Sequence, residues 1–528
     1  RGHDGDGSVA AGVGGGRVTG ELPAGWAAVP ICELGADDRP AVKAGPFGSA
    51  LKKEFYVQSG YRVYGQEQVI ADDFGIGDYF IDEARYQKLR TCDVRPGDVL
   101  VSLVGTFGRS SVVPAGSAPG IINPRLVRLA LHERVADPWY IKQVLASPVV
   151  QRHFEGVAHG GTMGVLNAGS LSELELPVPP LNEQRRIVAK LDALTERSRR
   201  AKAALDAIPA LIEKFKQSVL AAAFRGDLTA DWRAAHPDVE PASELLKRIR
   251  VERRRRWEEA ELAKLTAKGK APTDDRWKAR YEEPEAVDAS ELPELPRSWC
   301  WARLGELGRG GLDAVQTGPF GAQLHNTEFT EAGVPVIAVG NLTGTGFSDQ
   351  DLYFVSPEKA QQLSRYDVWA GDVLFARSGA TLGKVCVAPT HVKDWRMTGH
   401  ILRVRLENSV LLSEIAVLAL WGAPSVKAQV ESGIRGATRP GYNTTLLENI
   451  LVPLMPMLEQ HQVTARSIAL IARLDSVGNE NAEHQARLSS LDRSILAKAF
   501  RGELVPQDPS DEPASVLLSR LRDDAAMS

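Results

Sequence analysis

Gly45-Pro46-Phe47-Gly48, Gly97-Asp98-Val99-Leu100 and Phe224-Arg225-Gly226-Asp227-Leu228 come back later in the chain, in the same order. They return as Gly318-Pro319-Phe320-Gly321, Gly371-Asp372-Val373-Leu374 and Phe500-Arg501-Gly502-Glu503-Leu504. Leu22-Pro23 and Trp26 precede the first set as Leu295-Pro296 and Trp299 precede the second. The offset is 273 residues at the start and 276 at the end, so few insertions separate the copies. Solenoid units repeat every 20–50 residues or so, which makes this an internal repeat of a whole domain. Two similar readers on one chain suit a target that comes in two parts.

Each copy has the same internal order. Short strand-like pieces come first, among them Val99-Leu100-Val101-Ser102-Leu103-Val104 and Val373-Leu374-Phe375-Ala376, with the apolar, β-branched or aromatic character of buried strands. Glycine turns follow them, Gly105-Thr106-Phe107-Gly108-Arg109 in one copy and Gly379-Ala380-Thr381-Leu382-Gly383-Lys384 in the other. Helical stretches are expected from Trp139 to Phe154 and from Ser413 to Glu431. The mixture predicts an α+β globule in each half.

Each copy then closes on a proline-marked entry to a long helix. Pro177-Val178-Pro179-Pro180-Leu181-Asn182-Glu183-Gln184 parallels Pro453-Leu454-Met455-Pro456-Met457-Leu458-Glu459-Gln460, with Asn182 as the expected N-cap. Apolar positions then alternate by four and three: Ile187, Leu191, Leu194, Leu205, Ile208, Ile212, Phe215 and Val219 in the first helix. The matching register gives Val463, Leu470, Leu474, Val477, Leu488, Leu491 and Ile495 in the second, with polar Asn481 and His484 inside the stripe. This is a coiled-coil seam that one helix cannot bury alone, and the tethered second helix is its cheapest partner. Asn481 and His484 are expected to be a buried polar pair that sets register. Pro209 is expected to kink or interrupt the first helix, and Gly478-Asn479 to loosen the second.

These breaks divide the chain into a disordered N-terminal segment (1–20), a first globular domain (21–180), a first helical region (181–226) and a charged helical extension (227–294). A second globular domain (295–455), a second helical region (456–504) and a C-terminal helical tail (505–528) follow. The glycine-rich opening lacks the apolar core of a signal peptide. In the extension, Lys247-Arg248-Ile249-Arg250 and Arg253-Arg254-Arg255-Arg256 could form a nucleic-acid patch. The interleaved Glu252, Glu258, Glu259 and Glu261 favour a solvated or partner-facing helix. The net charge of −4 does not announce a polyanion binder, although a basic face on one side suffices for phosphate contact.

Familiar catalytic and metal chemistry is not found in the sequence. The four cysteines, Cys32, Cys92, Cys300 and Cys386, show no ligand spacing and read as free thiols of a cytoplasmic protein. Gly379 to Lys384 has one residue too few between its glycines for a phosphate-binding loop, and Val385 stands where Ser or Thr is needed. Asn123-Pro124-Arg125-Leu126 lacks the second proline and the aromatic of an adenine methyltransferase motif. Glu213 and Lys216 lie on the long helix, where an exposed charged face explains them. No run of 18 apolar residues suggests a membrane span.

The order of these signatures, together with Asp231-Trp232-Arg233 after the first Phe-Arg-Gly-Asp-Leu and Arg439-Pro440-Gly441-Tyr442-Asn443 before the second helix, resembles the specificity subunits (HsdS) of type I restriction–modification systems. The resemblance covers about residues 21–525. It implies two similar target recognition domains separated by two long helices that pair as an intramolecular antiparallel coiled coil, a pseudo-twofold object reading a split DNA site. From Ile187 to Ala222 a straight helix spans roughly 54 Å at about 1.5 Å per residue, against about 34 Å for one DNA turn. It further implies a non-catalytic chain with no cofactor of its own. Its partners would be double-stranded DNA, two methyltransferase subunits using S-adenosylmethionine, and motor–nuclease subunits using ATP and magnesium. The other readings are a duplicated protein-interaction scaffold that does not bind DNA, a specificity subunit of a related modification system outside type I, and a fusion fragment with lost active-site motifs.

Contacts to DNA are expected from polar side chains on the repeated turns, where Arg and Lys can pair with guanine and Asn and Gln with adenine. The candidates are Lys43, Ser49, Lys52, Arg109, Thr162 and Asn167 in the first copy. In the second they are Gln316, Gln323, His325, Arg377, Ser378, Lys384, Arg435, Thr438, Arg439 and Asn443. The first copy reads Gly160 to Asn167 without the arginine and proline of the second, which predicts unlike half-sites.

Overall fold

The computed structural model describes residues 22–103, 108–159, 167–269, 272, 274–309, 314–377, 383–434 and 442–527. The expected disordered segment 1–20 lies outside the described residues, as do Thr162, Ser378, Arg435, Thr438 and Arg439. The chain divides into two units, one of residues 1–206 with 482–528 and one of residues 207–481.

The two units repeat the same sheets in the same strand order. In the first, Val42–Ala44, Leu126–Leu129, Val99–Ser102 and Ser110–Val112 form a four-stranded antiparallel sheet. Tyr56–Val57, Phe80–Ile81, Tyr61–Tyr64, Gly120–Ile122 and Asp93–Val94 form a five-stranded sheet with one parallel pairing. Ala27–Pro30 pairs with Glu175–Val178 and closes the globule. In the second unit, Val315–Thr317, Ile401–Val404, Val373–Ala376 and Val385–Val387 repeat the four-stranded sheet. Phe329–Thr330, Tyr353–Val355, Val334–Ile337, Trp395–Met397 and Asp367–Val368 repeat the five-stranded one, and Cys300–Arg303 pairs with Leu451–Leu454. Every residue of Val99–Ser102 and Val373–Ala376 is buried, which is why these strands read as continuous apolar runs instead of alternating ones.

The helical stretches are each divided in two. Pro138–Leu145 is followed by Pro148–His159, and Ser413–Gly422 by Pro424–Ile434. Pro148 and Pro424 cause the breaks, because a proline disfavours helical backbone in the residue before it and starts a new helix well.

The Glu-Gln pair at each long-helix entry is a fastening. Gln184 donates from Nε2 to the Val135 and Pro179 carbonyls (2.7 and 3.0 Å) and accepts from the Asp137 N–H (2.7 Å). Gln460 does the same with Val410, Met455 and the Leu412 N–H (2.7, 2.9 and 2.9 Å). Trp26 donates its indole N–H to Glu183 (3.1 Å), and Trp299 donates to Glu459 (2.7 Å). The expected cap at Asn182 is not observed. The helix already begins at Leu181, and the Asn182 amide donates to Asp511 instead (3.2 Å).

The long helices run from Leu181 to Arg225 and from Met457 to Ala499, packed against each other. The first is unbroken at Pro209, so the expected interruption is absent: in a helix of 45 residues one lost hydrogen bond is offset by packing on both sides. Each helix ends at a left-handed glycine, Gly226 (φ 85°) or Gly502 (φ 73°). A Cβ on either would lie 2.5 Å from the ring of Pro296 or Pro23, so the Phe-Arg-Gly and Leu-Pro signatures recur together because they touch.

The helices pair antiparallel within each unit. In the first unit, Ser198 donates to Asp492 (2.6 Å) and Gln485 to Asp206 (2.9 Å), so one helix advances as the other retreats. In the second, Lys216 meets Asp475 at 2.5 Å, and the Cβ side of Gly478 faces Ile212 Cδ1 at 3.5 Å. Gly478 therefore admits a neighbour's side chain inside a continuous helix and does not loosen it. Ile187, Leu191 and Val463 are buried. The expected stripe fails at Phe215, Val477 and Leu491, which are 58%, 45% and 54% exposed, and at exposed His484. Gly478, Gln485, Leu488, Asp492 and Ile495 turn inward, with Asn481 buried and its Oδ1 unpaired among the described residues. Two four-residue steps in a row, 470 to 474 to 478 and 208 to 212 to 216, correct the drift that a strict seven-residue repeat accumulates on a straight helix.

The charged extension forms a helix, Ala242–Ala267, and the tail another, Ala514–Met527. Their starts are equivalent: the Ala242 N–H donates to the Ser298 carbonyl and the Ala514 N–H to the Gly25 carbonyl, both at 2.9 Å. The basic run is neutralised locally. Arg250 pairs with Glu306, Arg254 with Glu258 and Glu283, Arg255 with Glu252 and Glu259, and Arg256 with Glu252. Among the described residues no helix is long and apolar enough to cross a membrane.

Candidate nucleic-acid interface

The Gly-Pro-Phe-Gly turn presents an aromatic ring to solvent. A Cβ on Gly45 would lie 1.9 Å from the Asn123 carbonyl oxygen, and one on Gly318 2.1 Å from that of Thr398, so only glycine allows this approach. The prolines are buried, whereas Phe47 and Phe320 stand 68% and 56% exposed. A second aromatic group lies on the neighbouring strands of each unit. Tyr56 and Tyr79 pair at 5.0 Å in the first, and Phe329 stacks on Tyr353 at 4.6 Å in the second.

The Gly-Asp-Val-Leu turn is held from behind by a buried ionic cluster. Arg128, fully buried, donates to Asp93 Oδ1 (2.9 Å), while Arg39 grips both Asp98 oxygens (2.5 and 3.0 Å). In the second unit Arg403 donates to Asp367 Oδ1 (2.5 Å) and Arg405 grips both Asp372 oxygens (2.8 and 2.7 Å). Burial pushes the Asp98 carboxyl up from the ordinary aspartate value against the pull of Arg39 and Arg128. Burial acts on Asp367 as well, but Arg405 and Arg403 together hold its carboxyl below that value. These groups fix backbone shape and are spent on one another.

In front of this frame the second unit opens a cleft of about 1140 Å³, lined by Phe320, Phe329, Tyr353, Arg377, His400 and Asn443 among others. The Arg377 guanidinium lies 5.1 Å from the centroid of the Phe320 ring and donates to the Thr317 hydroxyl (3.1 Å). Its backbone is pinned too, donating to the His400 carbonyl (3.0 Å) and accepting from the Tyr442 N–H (2.8 Å). Tyr442 is buried edge-on against Phe375 (4.3 Å), where burial pushes its hydroxyl up to about 12.

The remaining candidates scatter. Asn167 and Asn443 are N-caps, accepting from Ser170 and Leu446 N–H groups at 2.8 and 2.7 Å. Gln316 is buried, donating to the Thr317 carbonyl (2.9 Å) and accepting from Arg365 (3.3 Å). Gln323 accepts from the Phe320 N–H (3.1 Å) and the Tyr366 hydroxyl (2.8 Å). His325 is exposed, and its N–H donates to Glu328 (2.7 Å). Lys43 is half-buried on a strand, Ser49 is exposed, and exposed Lys52 lies 3.6 Å from Glu54. Arg109 is exposed and Lys384 half-buried at equivalent turns. Sequence reasoning missed the aromatic pairs and Arg125, the exposed counterpart of His400. It also missed Gln66, which donates to Ser102 at 2.5 Å. The exposed phenylalanine inside a glycine-proline turn was the available signal. Lys216 pairs with Asp475, and Glu213 accepts from Gln217 at 3.0 Å, so the two do not form a catalytic pair. Among the described residues no cluster of His, Cys, Asp or Glu could hold a metal.

The comparisons agree with this architecture. A family model described as the type I restriction modification DNA specificity domain matches residues 52–209. The EcoBI specificity subunit of Escherichia coli is 24% identical over 444 residues, 82% of this chain and 81% of the relative. The StySPI specificity subunit of Salmonella potsdam is 23% identical over 537 residues, 96% of this chain and 97% of the relative. The crystal structure of the HsdS subunit from Thermoanaerobacter tengcongensis superposes with a TM-score of 0.54 at 18% identity, covering 92% of this chain and 98% of that one. Two mixed sheet regions separated by two long packed helices define the fold class of these subunits. The chain is similar to the specificity (HsdS) subunits of type I restriction–modification systems, in one specificity-domain segment and, at 23–24% identity, over most of its length.

Proposed function

We propose that this chain binds a bipartite, asymmetric DNA site, with residues 21–180 reading one half-site and residues 295–455 the other. The helical regions 181–226 and 456–504 set the unread spacer, and the extension 227–294 and tail 505–528 anchor the helix ends. The observation that carries the reading is the pair of units with identical strand order whose exposed turns carry different polar side chains. Shared turns keep shape, and divergent ones suit unlike bases.

In this reading the chain carries no cofactor of its own and acts in the cytoplasm. It recruits two adenine-methyltransferase subunits that use S-adenosylmethionine, and motor–nuclease subunits that use ATP and magnesium. In this reading Arg109, Lys384 and Lys52 contact phosphates and Arg377 enters the groove, while Asn443 caps the helix behind it. Gel shifts and methylation assays with the cognate methyltransferase subunit test this. A sequence-selective complex whose affinity falls steeply with salt is expected, and an affinity indifferent to salt and sequence would favour a protein-binding scaffold.

A further inference from the structure

We propose that Arg377 reads a guanine in the half-site of the second unit, an inference that rests on the DNA-reading function above. The two copies differ by a pairwise exchange of polar and apolar side chains. Arg377 and its hydroxyl partner Thr317 (3.1 Å) occupy the strand positions of Leu103 and Ala44 in the first unit. The backbone equivalence is direct, since the Leu103 N–H donates to Arg125 (2.9 Å) as the Arg377 N–H donates to His400 (3.0 Å). The first unit places its own polar pair, Gln66 and Ser102 (2.5 Å), where the second has Val339 and Ala376. Each unit thus keeps one polar pair in a shared frame and moves it, as a base reader must move when the target changes.

The geometry favours a base over a phosphate. A phosphate contact needs only positive charge at a rim, and a flexible lysine serves it. Arg377 is half-buried, lines a cleft of about 1140 Å³, and lies over the Phe320 ring, 5.1 Å from its centroid. Thr317 takes one of the five guanidinium N–H donors, so the planar fork keeps a fixed direction. A held fork of this kind matches the O6 and N7 acceptors of guanine in the major groove.

The test is the methylation motif written by the full chain with its cognate methyltransferase subunit. Wild type is compared with Arg377→Gln and with the double change Arg377→Leu, Thr317→Ala, which installs the residues the first unit already accommodates. The expected result is that one guanine in one half-site loses its requirement, with discrimination falling about 10- to 100-fold, while the other half-site is unchanged. Guanine preference untouched at every position would overturn the proposal. So would a uniform loss of affinity across sequences with a salt slope shallower by about one, the mark of a phosphate contact. Failure of wild type to select any sequence would instead sink the functional reading beneath it.

Discussion

Glu183 and Glu459 occupy the same place at the two long-helix entries and both are buried, yet their surroundings differ. Glu459 accepts from Trp299 (2.7 Å), from the Thr229 hydroxyl (2.7 Å) and from Arg233 (2.5 Å). Glu183 accepts from Trp26 (3.1 Å), and its second oxygen is unpaired among the described residues. Burial pushes its carboxyl above the ordinary glutamate value despite that hydrogen bond. The difference arises because the segment after the first helix brings Thr229 and Arg233 into the second unit, whereas the segment after the second helix supplies Val505 and Pro509 at those places. Duplication preserved the carboxylate and only one copy kept its cation.

The aspartate cluster teaches the complementary lesson. Asp98 and Asp372 are matched, but the gripping guanidinium comes from Arg39, ahead of the strand Val42–Ala44, in one unit and from Arg405, at the end of a different strand, in the other. Ala130 stands where Arg405 does. What the frame requires is a guanidinium at that point in space, from whichever strand can deliver it.

These contrasts can be broken deliberately. The largest effect is expected for Glu459→Gln, which leaves Arg233 without its charge partner and costs the second unit about 3 kcal/mol. Hydrogen exchange read separately on each unit should show this loss confined to residues 207–481. Next is Arg39→Ala, costing the first unit about 2 kcal/mol by leaving buried Asp98 without its guanidinium and held by the Arg95 N–H (2.8 Å). Adding Ala130→Arg should restore at least half of it in denaturant unfolding, and no recovery would show that position, not charge alone, is essential. The smallest is Glu183→Gln, expected to change stability at neutral pH by less than about 1 kcal/mol. Its signature is the pH profile. With the folded value raised, Glu183 contributes its stability at acid pH and loses it as pH rises through that value, so the variant should flatten this decline in the first unit.

The duplication, the sheet-bearing globules and the paired helices were legible because they rest on repeats and on apolar periodicity. Apart from Leu488 and Ile495, which do turn inward, the seam of the second helix was legible up to Leu474. Beyond it the four-four step moves the inward face by one residue, and a strict seven-residue reading picks exposed Val477 and Leu491 over Gly478 and Asp492. Partnerships across some 230 residues, such as Arg233 with Glu459, leave no local pattern. Most candidate contacts were chosen for polarity, and several turned out to be occupied: Asn167 and Asn443 by caps, Gln316 and Gln323 by internal hydrogen bonds. The exposed aromatic rings were overlooked for the same reason.

The account depends on two readers joined by a helical spacer. Methylome sequencing of cells carrying this chain with its methyltransferase subunit should return a motif of two unlike half-sites around an unread gap. Removing matched heptads from both long helices should shorten the gap and leave both half-sites intact. A single contiguous motif, or a half-site that changes when only the helices are shortened, would contradict it.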